Sequence, residues 1–187
     1  AHQVALGVTS GKPKGQTAWK FDSAGAVATL THVLISGGHT GALIPTAKFT
    51  PVEIGGTTVS AASLANFDEI ERLGLAIGDQ VYVVKANDII PKIVRVVERP
   101  ESRRAIAVPC NCPFCGGVVG KRETTDGESG AITECKNPDC PKKTVGKVRR
   151  WIASLDILGV GDAVLEALMD RMDVEDAADL YTLRHRE

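Results

Sequence analysis

The chain has 187 residues, 43% of them hydrophobic and 24% charged, with a net charge of −1. This is ordinary globular composition, and the length allows one large domain or two to three small ones. It excludes a bilayer-spanning helix, since no apolar run approaches the roughly 20 residues required, a signal-peptide core in residues 1–20, and nucleic-acid binding by bulk charge. A cytoplasmic chain with no membrane partner is expected.

Charge is unevenly distributed. Residues 1–91 carry six Lys/Arg against seven Asp/Glu, residues 92–150 thirteen against seven, and residues 151–187 three against nine. The middle block is either a footprint that tracks phosphates or a solvated charged surface.

Residues 1–20 are rich in Gly, Lys and Thr, lack periodicity and read as the tail of something that begins upstream. The missing initiating Met fits an excised piece. From Ala26 to Val97 the pattern is β-rich, with strands predicted over 26–35, 42–49, 52–60, 79–86 and 89–98. Gly37-Gly38, Pro51, Gly55-Gly56 and Asn87-Asp88 separate them. One helix is predicted over 63–73, with Ser63 as its cap and Leu64, Ile70 and Leu73 facing inward. Five short strands with a helix between the third and fourth is the order of an OB-fold barrel, although other small barrels also have five strands.

Residues 99–108 (RPESRRAIAV) read as a charged linker. All five cysteines then fall between Cys110 and Cys140. Such clustering points to metal rather than to a disulfide framework. Cys112-Pro-Phe-Cys115 and Cys135-Lys-Asn-Pro-Asp-Cys140 form two short pairs, each able to present two sulfurs from one knuckle. Together they predict a tetrahedral, structural zinc site; an iron–sulfur cluster or reduced structural thiols are the competing readings. Gly116-Gly117 lets backbone amides bend toward the sulfurs. Cys110, two residues before Cys112, is left out of the set.

From Val145 the pattern turns helical, with Trp151, Ile152 and Leu155 and then Val164, Leu165 and Leu168 at helical spacing. Between the two stretches lies Leu158-Gly159-Val160-Gly161. This is either a helix-hairpin-helix unit, whose Gly159 and Gly161 amides receive phosphate, or a plain turn between helices. The basic run Lys142, Lys143, Lys147, Arg149 and Arg150 favours the first. In the barrel, Ile89 and Ile90 follow a polar turn and precede Pro91. They either start a core strand or form an apolar wedge for a minor groove.

These residues resemble a known family. Gly41-Ala-Leu-Ile-Pro-Thr-Ala-Lys48, Pro51-Val52, Gly55-Gly56, Val59-Ser60, Asp68-Glu-Ile-Glu-Arg72, Ile77-Gly-Asp79 and Asp88-Ile-Ile-Pro91 are similar to the OB domain of bacterial NAD-dependent DNA ligases. The likeness continues through both cysteine pairs and Ile157-Leu-Gly-Val-Gly161. Upstream, Leu6-Gly-Val-Thr-Ser10 and Ala18-Trp-Lys-Phe21 resemble the end of that family's nucleotidyltransferase domain.

The resemblance implies a multi-domain architecture. Residues 1–23 end the nucleotidyltransferase domain, 24–100 form an all-β OB-fold barrel, 109–144 a four-cysteine zinc finger, and 145–187 a small α-helical helix-hairpin-helix region. It implies nick sealing in duplex DNA through lysyl-AMP and DNA-adenylate intermediates, with NAD and Mg²⁺ serving the intact enzyme. Lys20 matches a lysine that contacts the adenylate phosphate, and Cys112, Cys115, Cys135 and Cys140 match the zinc ligands. Ile89 and Ile90 match the minor-groove pair, and Lys48 a basic DNA contact. The loop Gly38-His39-Thr40-Gly41 departs from the family's Gly-Arg-Thr-Gly, since His39 keeps a hydrogen-bond donor but no permanent bidentate cation. Ala65 stands where a histidine is common. No Lys-Xaa-Asp-Gly nucleotidyl motif occurs in the chain, so it is expected to bind nicked duplex DNA, as a monomer, without adenylating itself. The rival reading is a non-enzymatic adaptor that binds nucleic acid with the same parts.

Overall fold

The computed structural model describes residues 6–15, 24–87, 89–172 and 174–183, without the side chain of Asp162. A short hairpin, β1 (Val8–Thr9) with β2 (Lys12–Pro13), comes first. The barrel follows: β3 (Gly25–Gly37), β4 (Leu43–Ile54), β5 (Thr57–Ser63), β7 (Gln80–Ala86) and β8 (Ile90–Glu98), in the order β5-β4-β3-β7-β8. Short α1 (Phe67–Leu73) and β6 (Ala76–Ile77) lie between β5 and β7. Every pairing is antiparallel.

β3 explains how the sheet curls. Gly25–Thr29 pairs with β7, whereas Leu30–Gly37 pairs with β4, and a bulge lies between Leu30 and His32. A bulge inserts one residue and so changes which parity faces inward. Ala26, Ala28 and Leu30 join the core before it, and Val33 and Ile35 after it. The outer strands β5 and β8 come together across the barrel, where Lys85, at the end of β7, donates to Thr57 of β5. Leu30, Ala47, Val81 and Val83 are completely buried at the centre.

Three details differ from the sequence reading. Pro51 does not separate two strands: β4 runs on to Ile54, and Pro51 sits where the β4–β5 register shifts between Lys48 and Val52. Proline is tolerated there because a bulge requires no ladder N–H. The predicted strand 52–60 is therefore cut by the Gly55-Gly56 turn. α1 starts later than Ser63: Asn66 caps it by accepting from the Glu69 amide at 2.9 Å, while Ser63 Oγ accepts from Ala65 in the preceding turn. Phe67 and Ile70 form the buried face, and Leu64, also buried, precedes the helix.

The stretch read as a linker is packed against the barrel. Arg99 and Arg103 donate to the carbonyls of Leu73 and Gly74 at the C-terminus of α1. β9 (Arg104–Ala105) pairs with β6. Asp79, fully buried, accepts from the Ala76 amide at 2.8 Å, and Arg103 Nε stands 3.2 Å from its other oxygen. A buried carboxylate needs such a partner.

Next come the hairpin β10 (Val119–Glu123) and β11 (Ser129–Cys135), then α2 (Pro141–Ser154) and α3 (Asp162–Met172), with a 3₁₀ turn at Asp179–Tyr181. α2 begins four residues before the helical pattern becomes legible, because its first turn is Pro-Lys-Lys-Thr with proline at the tolerated N1 position. Val148, Ile152 and Leu165 form the small core between α2 and α3, backed by Val160 and Leu180. Trp151 donates its indole N–H to the Tyr181 hydroxyl at 3.2 Å. Among the described residues no helix is long and apolar enough to cross a membrane.

Candidate metal centre and nucleic-acid interface

The sulfurs of Cys112, Cys115, Cys135 and Cys140 all lie within 4.8 Å of one another. Cys112 and Cys140 are 3.9 Å apart, Cys115 and Cys135 3.5 Å. The first knuckle is closed by amide–carbonyl bonds of 2.8 Å from Gly116 to Cys112 and from Cys112 to Gly117. The Gly117 amide then points at Cys115 Sγ, 3.4 Å away. Cys135 ends β11, and Cys140 stands immediately before α2, so the strand ends and the helix begins at the cluster. The exposed Cys110 is outside it.

Electrostatics suits a bound cation. Burial pushes the Cys135 thiol up to about 12 and raises Cys140 as well. The Gly117 amide is the main cause drawing Cys115 down to about 7, with help from Cys135 and Asn137. Four neighbouring thiols cannot all ionise without a positive centre, and a metal ion deprotonates its ligands outright. Donor type, closure and burial therefore fit a structural metal site. Sequence reasoning missed Asn137, whose amide nitrogen reaches Cys115 Sγ at 3.6 Å. Its position inside the second knuckle was the available signal.

The cluster is built into the barrel. Cys112, Cys135 and Cys140 belong to the same buried cluster as Leu43, Ala47 and Phe49. The Cys135 amide donates to Gly41 at 2.9 Å, and Glu134 bridges to Ala42. Glu134 also binds Arg122 at 2.6 Å and Lys136 at 3.1 Å, and Lys121 pairs with Asp68 of α1. Gly41 has φ of 85°, and a Cβ on it would overlap Lys143 and lie 3.2 Å from the Cys135 carbonyl. Lys142 stands 5.4 Å over the Phe114 ring, joining α2 to the first knuckle.

His39 is in this joint. Its backbone presses against Gly146 of α2, and its Nε2 lies 3.1 Å from Arg150 Nη1. It remains exposed, at the edge of a groove of about 700 Å³ shared by the β3–β4 loop, Phe114 and α2.

The other candidate DNA contacts lie on separate elements. Ile89 and Ile90 project from the β7–β8 turn with 77% and 59% of their surface exposed; Ile90 is the first residue of β8, but neither side chain enters the core. Lys48 is half-buried on β4, opposite His32 and Ala61 and out of phase with the inward-facing Ala47 and Phe49. Gly159 and Gly161 form the α2–α3 loop, Gly159 with φ of 85°, beside Leu158, which is 92% exposed. Lys20 and Asp88 lie outside the described residues.

Residues 27–105 match the profile of the NAD-dependent DNA ligase OB-fold domain. The chain is 40% identical over 183 residues to a DNA ligase of Koribacter versatilis, covering 95% of this chain and 26% of that protein. It is 39% identical over 184 residues to a DNA ligase of Solibacter usitatus and 41% identical over 189 residues to one of Saccharophagus degradans, covering 97% of this chain and 27% of each. The chain thus spans about a quarter of the length of the curated relatives it matches. Residues 27–105 are thus an OB-fold domain of the NAD-dependent DNA ligase type, and along 95% of its length the chain is similar to DNA ligases.

Proposed function

We propose that this chain is the DNA-gripping portion of a ligase that seals nicks by joining 5′-phosphate and 3′-hydroxyl ends. The observation that carries this reading is mechanical: barrel, cysteine cluster and helical hairpin interlock through the Gly38–Ala42 loop, so that an exposed apolar tip, a basic helix and a glycine loop are held in fixed relation. Contacts of this sort grip a duplex by shape and phosphate rather than by sequence. Ile89 and Ile90 supply an apolar wedge suited to a minor groove opened beside a nick. Lys48 supplies a polar contact from the barrel, His39 lines the same face beside Arg150 of α2, and Gly159 and Gly161 present amides to phosphate from the hairpin.

Cys112, Cys115, Cys135 and Cys140 would hold zinc: four sulfurs within 4.8 Å of one another, two pairs of them at 3.9 and 3.5 Å, suit a tetrahedral ion. Bound zinc supplies cross-linking rather than reactivity, because four thiolates leave no position for water or substrate. In the intact enzyme, which uses NAD and Mg²⁺, AMP passes from a lysine to the 5′-phosphate and is displaced by the 3′-hydroxyl. Lys20 is assigned to the adenylate phosphate. No Lys-Xaa-Asp-Gly motif occurs among these 187 residues, and we assign the chain no self-adenylation. We assign a cytoplasmic, monomeric state.

The test is fluorescence anisotropy of a labelled nicked duplex with the full chain and its Ile89→Ala/Ile90→Ala variant. The variant binds the nicked duplex several-fold more weakly, with zinc content and thermal stability unchanged because both side chains are already in solvent. Equal affinities would remove the wedge. Affinity of the parent chain that ignores salt would remove DNA binding altogether.

A further inference from the structure

The groove between the β3–β4 loop and α2 has two walls of different chemistry. One is backbone, Gly37 and Gly38; the other is mainly cationic, Lys142, Arg149 and Arg150, with Phe114 between them, and Glu166 of α3 adds a single carboxylate to the lining. His39 stands at the rim with its ring nitrogen on Arg150. An arginine has only N–H donors, so in this 3.1 Å contact the histidine Nε2 accepts. The barrel loop thus holds a cation that originates 111 residues later in the chain.

We propose that Arg150 is a phosphate-binding residue for the DNA backbone and that His39 is its positioning residue, so that barrel and α2 together form one cleft for a sugar–phosphate strand. This rests on the DNA-binding reading above. Two features make the cleft specific rather than a general basic surface. Gly146 admits the His39 backbone to a distance no larger residue would allow, which sets the spacing between the two walls. Arg150 is exposed and its guanidinium is donated to His39 through a single nitrogen, which leaves further N–H groups for a phosphate oxygen. Positive charge contributed by α2 is thus delivered to the mouth of the barrel.

The experiment is a salt titration of affinity for a labelled nicked duplex by the full, zinc-loaded chain. Each phosphate contact contributes about 0.9 to the slope of log K against log salt. Arg150→Gln makes the slope shallower by about 1, whereas Arg150→Lys, a point charge without the planar fork, keeps the slope and loses affinity. His39→Leu weakens binding and His39→Gln, which keeps an acceptor, restores it. In an Arg150→Gln background His39→Leu has no further effect, as expected of residues acting as a unit. Both side chains are exposed, and zinc content and melting temperature check folding. An unchanged slope in Arg150→Gln, or additive losses in the double variant, overturns the cleft while the parent's salt dependence still supports DNA binding. A parent chain without salt-dependent affinity overturns both.

Discussion

Replacing Gly146 with alanine sets two opposed effects against each other within one residue. Glycine in the interior of α2 weakens the helix, and Gly→Ala at an unencumbered site returns about 1 kcal/mol. At Gly146 the new methyl overlaps His39 Cα and Cβ and lies 3.1 Å from His39 N. These are backbone or backbone-adjacent atoms, so no rotamer change relieves the overlap. The loop cannot simply recede, because Gly38 donates to Ala42, Gly41 to Gly38, and Cys135 to Gly41, at 2.8–2.9 Å. Overpacking of this kind costs about 1–3 kcal/mol. The net expectation is destabilisation of about 1 kcal/mol once the helix gain is subtracted. Urea unfolding followed by Trp151 fluorescence, in a Trp19→Phe background so that α2 carries the sole indole, measures it. If Gly146→Ala stabilised the chain by the full helix increment, loop and helix would not be pressed together and the interlock would be refuted.

Cys135→Ser removes one sulfur from a site buried to 99% at that residue. The chain should lose its tightly held zinc and show loosened amide protection over residues 109–183 while the barrel core stays protected; metal analysis that still finds one tight equivalent counts against the four-sulfur site. Arg103→Met strands the fully buried Asp79 without its ion-pair partner. A loss of about 3 kcal/mol is expected in urea unfolding, and a change within about 0.5 kcal/mol, typical of an ordinary surface site, would mean that the Arg103 contact does not matter.

The parts legible in the sequence were those governed by local rules. Alternation along 79–86 places Val81 and Val83 inside because a strand has period two, and the same rule identified 26–35 despite the bulge. The paired cysteines announced their meeting because a knuckle is a local geometry repeated twice. Local rules also failed in characteristic ways. Ser63 and Asn66 are both good caps, and only the position of buried Phe67 decides between them. Pro51 signals a break in isolation but is absorbed by a register shift that depends on a partner strand. Residues 99–108 are polar and proline-containing, yet Arg99 and Arg103 are fastened to α1, a relation carried by carbonyls that no sequence pattern displays. The His39–Arg150 contact was illegible for the same reason: each residue taken alone is a common surface cation or near-cation.

α2 starts at the residue after Cys140 and is 14 residues long. At 1.5 Å per residue it is a rod of roughly 21 Å, and a 10° tilt at its origin would carry its far end by roughly 4 Å. Small errors in bond angle at the anchoring sulfur would thus be magnified into misalignment of the glycine turn at its tip by more than the length of a hydrogen bond. The second fastening, at Gly146 in the middle of the rod, removes that freedom, which is why a hinge-like junction can serve as a fixed bracket.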